Sequence, residues 1–185
     1  MSIRQHLLAG LLCLAAGPAF GCAYHGTLDA RLKVMYPGSL AVAVALRKAA
    51  DAEVIEVDAL VAPHRRRALY IDSVRRLQAF RKAMTAAGGL PPAFSLGFVE
   101  SGLWTRYHHR DGQVRAEIHT AGPDAGEPVV LTGEPVLEEI LAGTLSADRA
   151  LEDRLMLIHG SEEERAALRR ALTSVSPGHR IGQRE

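Results

Sequence analysis

The chain is poor in cysteine, with two in 185 residues. Cys13 falls in an apolar amino-terminal segment, so the chain beyond that segment keeps only Cys22 and can form no internal disulfide. Charge of either sign is not in excess: 22 Lys and Arg stand against 21 Asp and Glu. A nucleic-acid binder would carry a clear basic surplus, so nucleic acid is not an expected partner. No long hydrophobic run is present either. The run Leu7 to Ala16 (LLAGLLCLAA) would form a helix about 15 Å long at ~1.5 Å per residue, against a hydrocarbon core of ~30 Å. A spanning helix is thereby the weaker reading for that run, and a cleaved or anchored signal the stronger.

Chemical fingerprints are missing as well. There is no glycine-rich phosphate loop, no HExxH and no CxxC. Ser101 stands between Glu100 and Gly102, but GFVESGL lacks the GxSxG spacing of a nucleophile elbow. Glu138-Glu139 and Glu162 to Glu164 sit on helical stretches, where a solvated face accounts for them. The sequence therefore leads to the expectation of a non-enzymatic protein with no catalytic residue and no cofactor.

What the amino terminus does contain is the tripartite pattern of an export signal. Arg4 supplies a positive charge, Leu7 to Ala16 the apolar stretch, and Ala19 and Gly21 the small residues before a cut. Residues 1–21 are expected to be a signal sequence, and the chain to be exported to the periplasm. The remaining 164 residues lose only Arg4 among the charges and are formally neutral. Cys22 then stands first. It is a candidate acylated residue, tethering the chain to a membrane as a lipoprotein, although Phe20 at −2 fits that signal poorly. Alternatively, Cys22 and His25 (CAYH) pair thiolate with imidazole, ligands that suit copper or zinc. His108 and His109 are adjacent on a predicted strand and point to opposite faces, so they cannot chelate one ion.

Residues 22–37 read as a lead-in loop closing on Pro37-Gly38, and residues 38–176 as one domain. Ser39 is a candidate cap for a helix to about Glu53, whose Leu40 to Leu46 (LAVAVAL) is apolar all round and reads as buried. A second helix runs from Pro63 to Ala87. Tyr70, Val74, Leu77 and Met84 make its apolar stripe, with Phe80 beside it. Arg66, Arg75, Arg76, Arg81 and Lys82 form the opposite face, solvated or in contact with anionic lipid. The Arg65-Arg66-Arg67 cluster opposes the helix dipole, which points to an anion or partner contact.

Strands are predicted over 94–99, 103–108 and 113–119, the last two joined by Asp111-Gly112, a two-residue hairpin turn. That turn sets Arg106 opposite Glu117 as a central ion pair, Trp104 opposite His119, Tyr107 opposite Ala116 and Thr105 opposite Ile118. A short strand over 128–131 leads to a helix with Pro135 in its first turn and Gly143 at its end. Ser146 caps a further short helix. Arg154 to His159 is a last strand, and Ser161-x-x-Glu164 a capping box for a closing helix. Residues 177–185 are a polar tail. The fold class is α+β: an antiparallel-rich sheet of about five strands with helices on one side, plus extra N-terminal helices.

The order of these features from Phe94 to Leu172 resembles the sterol carrier protein type-2 domain. The resemblance runs through Gly102-Leu103-Trp104, the hairpin HHRDGQV, the strand PVVLTG with its helix ending Leu141-Ala142-Gly143, Ser146 to Ala150, and RLMLIHG before a final amphipathic helix. It departs at Arg154, where the family usually has glycine, and in the wholly apolar Leu155 to Ile158, which suggests burial by the helices of 39–87. The resemblance implies binding or carriage of an apolar, lipid-like ligand between sheet and helices. It makes Leu96, Phe98, Tyr107 and Ile118 wall candidates from the sheet, with Leu137, Ile140 and Leu141 from the helix, although all seven serve equally as plain core. A rival reading is an envelope accessory or assembly factor, acting by protein contact or through Cys22 and His25.

Overall fold

The computed structural model describes residues 36–55 and 66–175, with 66–69 by backbone alone. Residues 1–21, expected to be a signal sequence, Cys22, His25 and the side chains of the Arg65-Arg66-Arg67 cluster lie outside these described residues.

Helices α1 (Ser39–Asp51) and α2 (Arg66–Ala87) come first. Three strands follow, β1 (Ala93–Phe98), β2 (Trp104–Arg110) and β3 (Gln113–Thr120), and then β4 (Val129–Thr132). Helices α3 (Glu134–Ala142) and α4 (Ala147–Glu152), strand β5 (Met156–His159) and helix α5 (Glu162–Thr173) complete the order. The five strands form one sheet in the order β3-β2-β1-β4-β5. Neighbours pair antiparallel except β1 and β4, which run parallel. The class is α+β as expected, and the sheet is mixed.

The hairpin register matches the one the Asp111-Gly112 turn dictates, from Arg110 opposite Gln113 to Thr105 opposite Ile118. It slips at the end, where Trp104 pairs with Thr120 and not with His119. His119 has φ 70° there, the left-handed conformation of a bulge residue, and its ring packs 4.9 Å from that of Tyr70.

Pairing sorts the side chains. Phe94, Leu96 and Phe98 share a face with Thr105, Tyr107 and Ile118, and α2 covers it. Phe80 meets Phe94 and Tyr107 edge-on at 6.5 and 5.4 Å, and the Tyr107 hydroxyl donates to the Leu77 carbonyl at 3.3 Å. Leu77, Phe80 and Met84 are buried, as the stripe predicted. The cationic face of α2 is largely engaged: Arg75 pairs with Asp72, Arg76 with Glu134 and Glu138, and Arg81 bonds Gln78 and the Val114 carbonyl. Those partners favour a structural role over a lipid-facing one.

The other face is covered as well, by residues 121–128 and by the segment leading into α1. Because β4 runs parallel to β1, residues 121–128 must cross the sheet between β3 and β4. Arg106 holds that crossing through Gly122 O, Asp124 and Glu127, so the central Arg106–Glu117 ion pair is not formed. Glu117 lies beside His108 instead, at 3.6 Å. Tyr36 packs edge-on against Trp104 and His159, and Gly38 leaves room for Leu157. Residues 36–46 thus shelter the apolar last strand, as its two-sided composition required.

Capping follows the sequence at two helices. Ser146 accepts from Arg149 N–H, and Ser161 with Glu164 closes the capping box of α5. At α1 the cap is Gly38, with φ 90°; Ser39 lies inside the helix and bonds back to Tyr36.

Candidate ligand site

The seven wall candidates are brought together in one hydrophobic core. Leu96, Phe98, Tyr107, Leu137 and Ile140 are buried; Ile118 and Leu141 are partly buried against them. Tyr107 stacks on Phe94 with ring centroids 5.0 Å apart. Burial holds its hydroxyl well above the usual tyrosine range, so it acts as a neutral donor.

A cleft of about 720 Å³ opens elsewhere, lined by one side of α1 and by the turn before β5. Leu40, Ala41, Val44, Ala45, Lys48 and Ala49 come from α1, joined by Val54 and by Asp153, Arg154 and Leu155. None of the seven wall candidates lines it. Helix α1 was expected to be buried all round. In fact Val42 and Leu46 face the protein, while Leu40 and Val44 are 56% and 47% exposed in the cleft, with Val54 at 54%. The volume lies in the range of about 300–1,000 Å³ typical of small-molecule sites. Leu40, Val44 and Val54 thus expose apolar surface along one side of this cleft.

Three charged groups edge the cleft. Asp153 is already bonded to Arg149 at 2.6 Å. Lys48 and Arg154 have no ion-pair partner among the described residues. Arg154 sits at φ 58°, a left-handed conformation that favours glycine and costs an arginine about 1 kcal/mol.

A second polar cluster joins the β1–β2 turn to α3. Ser73 on α2 donates to Glu134, which also meets Arg76. Glu100 is exposed as a residue, yet its Oε1 lies against Gly133, so that a Cβ there would come within 2.5 Å of it. Desolvation, with the nearby Glu134 charge adding to it, raises the Glu100 carboxyl to about 7. Among the described residues no group of three or more His, Cys, Asp or Glu could hold a metal ion. None of their helices is long and apolar enough to cross a membrane.

No family model and no curated protein matches the chain. Solved structures do. One is sterol carrier protein 2, at 16% identity and TM-score 0.40, covering 57% of this chain and 93% of that one. By fold, the chain is similar to sterol carrier protein 2. Sterol carrier protein 2 like 2 from Aedes aegypti is similar at 18% identity and TM-score 0.39, covering 54% of this chain and 96% of that one. The inverting sec-alkylsulfatase from Pseudomonas sp. is similar at 18% identity and TM-score 0.36 over 48% of this chain. A double mutant of that enzyme matches at 18% identity and TM-score 0.41 over 62%. The chain spans 14% and 16% of the length of these two sulfatase chains. They correct the expectation of a non-enzymatic protein: the similar structures include parts of an enzyme as well as carriers.

Proposed function

We propose that the protein binds an apolar, lipid-like ligand, and that the guest lies in the cleft between α1 and the turn before β5. The observation that carries this reading is the exposed row Leu40, Val44 and Val54 along one cleft. Covering apolar surface contributes ~25 cal/mol per Å² removed from water, with no reacting group required. The order of sequence features from Phe94 to Leu172, which resembles the sterol carrier protein type-2 domain, supports the same role. The seven wall candidates, Leu96 to Leu141, are read as the packed frame behind that site. We further propose that residues 1–21 export the chain to the cell envelope and that Cys22 tethers it there. An intact mass carrying fatty chains on Cys22 would support the tether, and an unmodified Cys22 would remove it.

The test of the site uses a neutral naphthylamine dye whose fluorescence rises in apolar surroundings. Dye should bind the full chain, and the double variant Leu40→Asp/Val44→Asp should abolish binding while circular dichroism stays unchanged. Both side chains are exposed, so the substitutions spare the core. Undiminished dye binding in that variant would end the proposal.

A further inference from the structure

Residues 36–55 rest on the sheet mainly by packing. Among the described residues their side-chain hydrogen bonds and ion pair run within the segment, between Ser39 and Tyr36 and between Arg47 and Asp51. Val42 and Leu46 are the buried apolar contacts of α1, and Leu46 lies against Gly133. The other hold is at the head of the helix. There Tyr36 packs edge-on against His159 at 5.2 Å and against Trp104 at 5.9 Å. A Cβ on Gly38 would come within 3.5 Å of His159 Nε2, so this strap lies directly on the ring.

That nitrogen is enclosed without a hydrogen-bond partner among the described residues. An imidazolium carries hydrogen on both ring nitrogens, so protonation would aim a donor into a space with no acceptor. The charges around His159 do not offset that cost. From α5, Arg165 bears a like charge, and Glu164 is held by Ser161 in the capping box. From the strap comes the Tyr36 ring. Along the sheet the same face runs through Val129 and Ser95 to Arg106, whose charge Asp124 and Glu127 already match. Burial, and then Arg165, hold the ring below the usual histidine range against the opposing pull of the Pro37 carbonyl.

We propose that His159 is an acid-released latch for helix α1: the uncharged ring seats residues 36–38, and its protonation frees the strap and the helix behind it while the sheet stays folded. With the helix docked the ring holds its proton less tightly than with the helix free. Docking is therefore at full strength above pH 6.5 and is lost as the pH falls below it. Glu100, near the Leu46 end of α1, acts with the opposite sign, because acid leaves its carboxyl neutral. Helix α1 also forms one wall of the cleft, so the same release would open it; the latch stands whatever the cleft holds.

Amide hydrogen exchange of the full chain, followed together with the fluorescence of Trp104, the only tryptophan, tests the latch. Between about pH 7 and pH 5, protection factors over 39–51 should fall about tenfold, the effect of one unit of difference in the ring's affinity for its proton. Those of β1, β2 and α2 should not change, and Trp104 emission should move to the red as Tyr36 leaves. His159→Phe keeps an aromatic ring against Tyr36 and should leave 39–51 protected at both values. Arg165→Gln should move the release to higher pH. Unchanged protection in the parent, an acid loss that persists in His159→Phe, or a release that Arg165→Gln does not raise overturns the latch. Loss of protection in β1 and β2 together with 39–51 overturns it as well, since the sheet would then open as one unit with the helix.

Discussion

Arg106 donates to the Glu127 carboxylate at 3.1 Å, although the residue directly across the hairpin from it is Glu117. Arg106 is 15% exposed and Glu127 6%, whereas Glu117 lies 62% in solvent. The buried acid also accepts from Ser95 and from the Asp124 N–H, so one carboxylate pins both strand β1 and the crossing segment. Removing the arginine would leave that acid buried without its counter-charge.

Arg106→Ala should therefore cost about 3 kcal/mol, the usual penalty for breaking a buried pair from one side. Glu117→Ala should stay within about 0.5 kcal/mol. Urea denaturation midpoints of the two variants check both numbers; equal effects would mean that the cross-strand partner matters after all.

That contrast shows what the sequence could and could not disclose. Asp111-Gly112 and the alternation around it determine which residues oppose each other, because turn chemistry and a period of two are local. They do not determine where a long side chain finds its charge. Arg106 turns to Glu127, twenty-one positions away, because residues 121–128 cross its face, and the crossing exists only through the parallel β1–β4 pairing. The bulge at His119 was equally out of reach, being tied to a ring contact with Tyr70 on a distant helix. The resemblance to the sterol carrier protein type-2 domain made Leu96, Phe98 and Tyr107 wall candidates, but lining and core share an apolar composition. The cleft escaped notice because LAVAVAL is uniformly apolar. Only packing separates buried Val42 and Leu46 from exposed Leu40 and Val44.

Gly97 tests how closely Trp104 is fitted to the sheet. A Cβ at position 97 would lie 2.7–2.9 Å from three ring carbons of Trp104, and the glycine's φ is not in the left-handed region. Gly97→Ala should destabilise by about 1–3 kcal/mol through overpacking, and tryptophan fluorescence should shift with it. Gly112→Ala meets open space and should cost only the left-handed backbone penalty at φ 70°, about 1 kcal/mol. A larger loss at Gly112 than at Gly97 would contradict this close fit.

Glu100 gives the protein a pH dependence with a definite sign. Its carboxyl is raised from 4.5 to about 7, first by desolvation and then by Glu134. The folded state therefore holds this proton more tightly than the unfolded chain does. Its contribution is full below pH 4.5 and is lost as the pH rises through about 7. Because the residue's outer surface meets water, the loss is reduced to about 1 kcal/mol. Glu100→Gln should flatten the stability profile between those limits and be more stable than the parent at pH 8. Thermal melts across that interval decide it, and a parent that gains stability from pH 5 to pH 8 while the variant does not would reverse the sign.

Thr105 offers the last prediction, and it runs toward greater stability. Its side chain is fully buried on the sheet face that carries Phe94 and Tyr107, and its hydroxyl finds no hydrogen-bond partner among the described residues. A hydroxyl taken from water without compensation costs about 1–3 kcal/mol, while valine keeps the branched shape that a strand accommodates. Thr105→Val should accordingly raise stability by about 1 kcal/mol and leave dye binding in the cleft unchanged, since Thr105 does not line it. A destabilised Thr105→Val would mean that the hydroxyl is satisfied after all, and a buried water or a bound guest against β2 would then have to supply its partner.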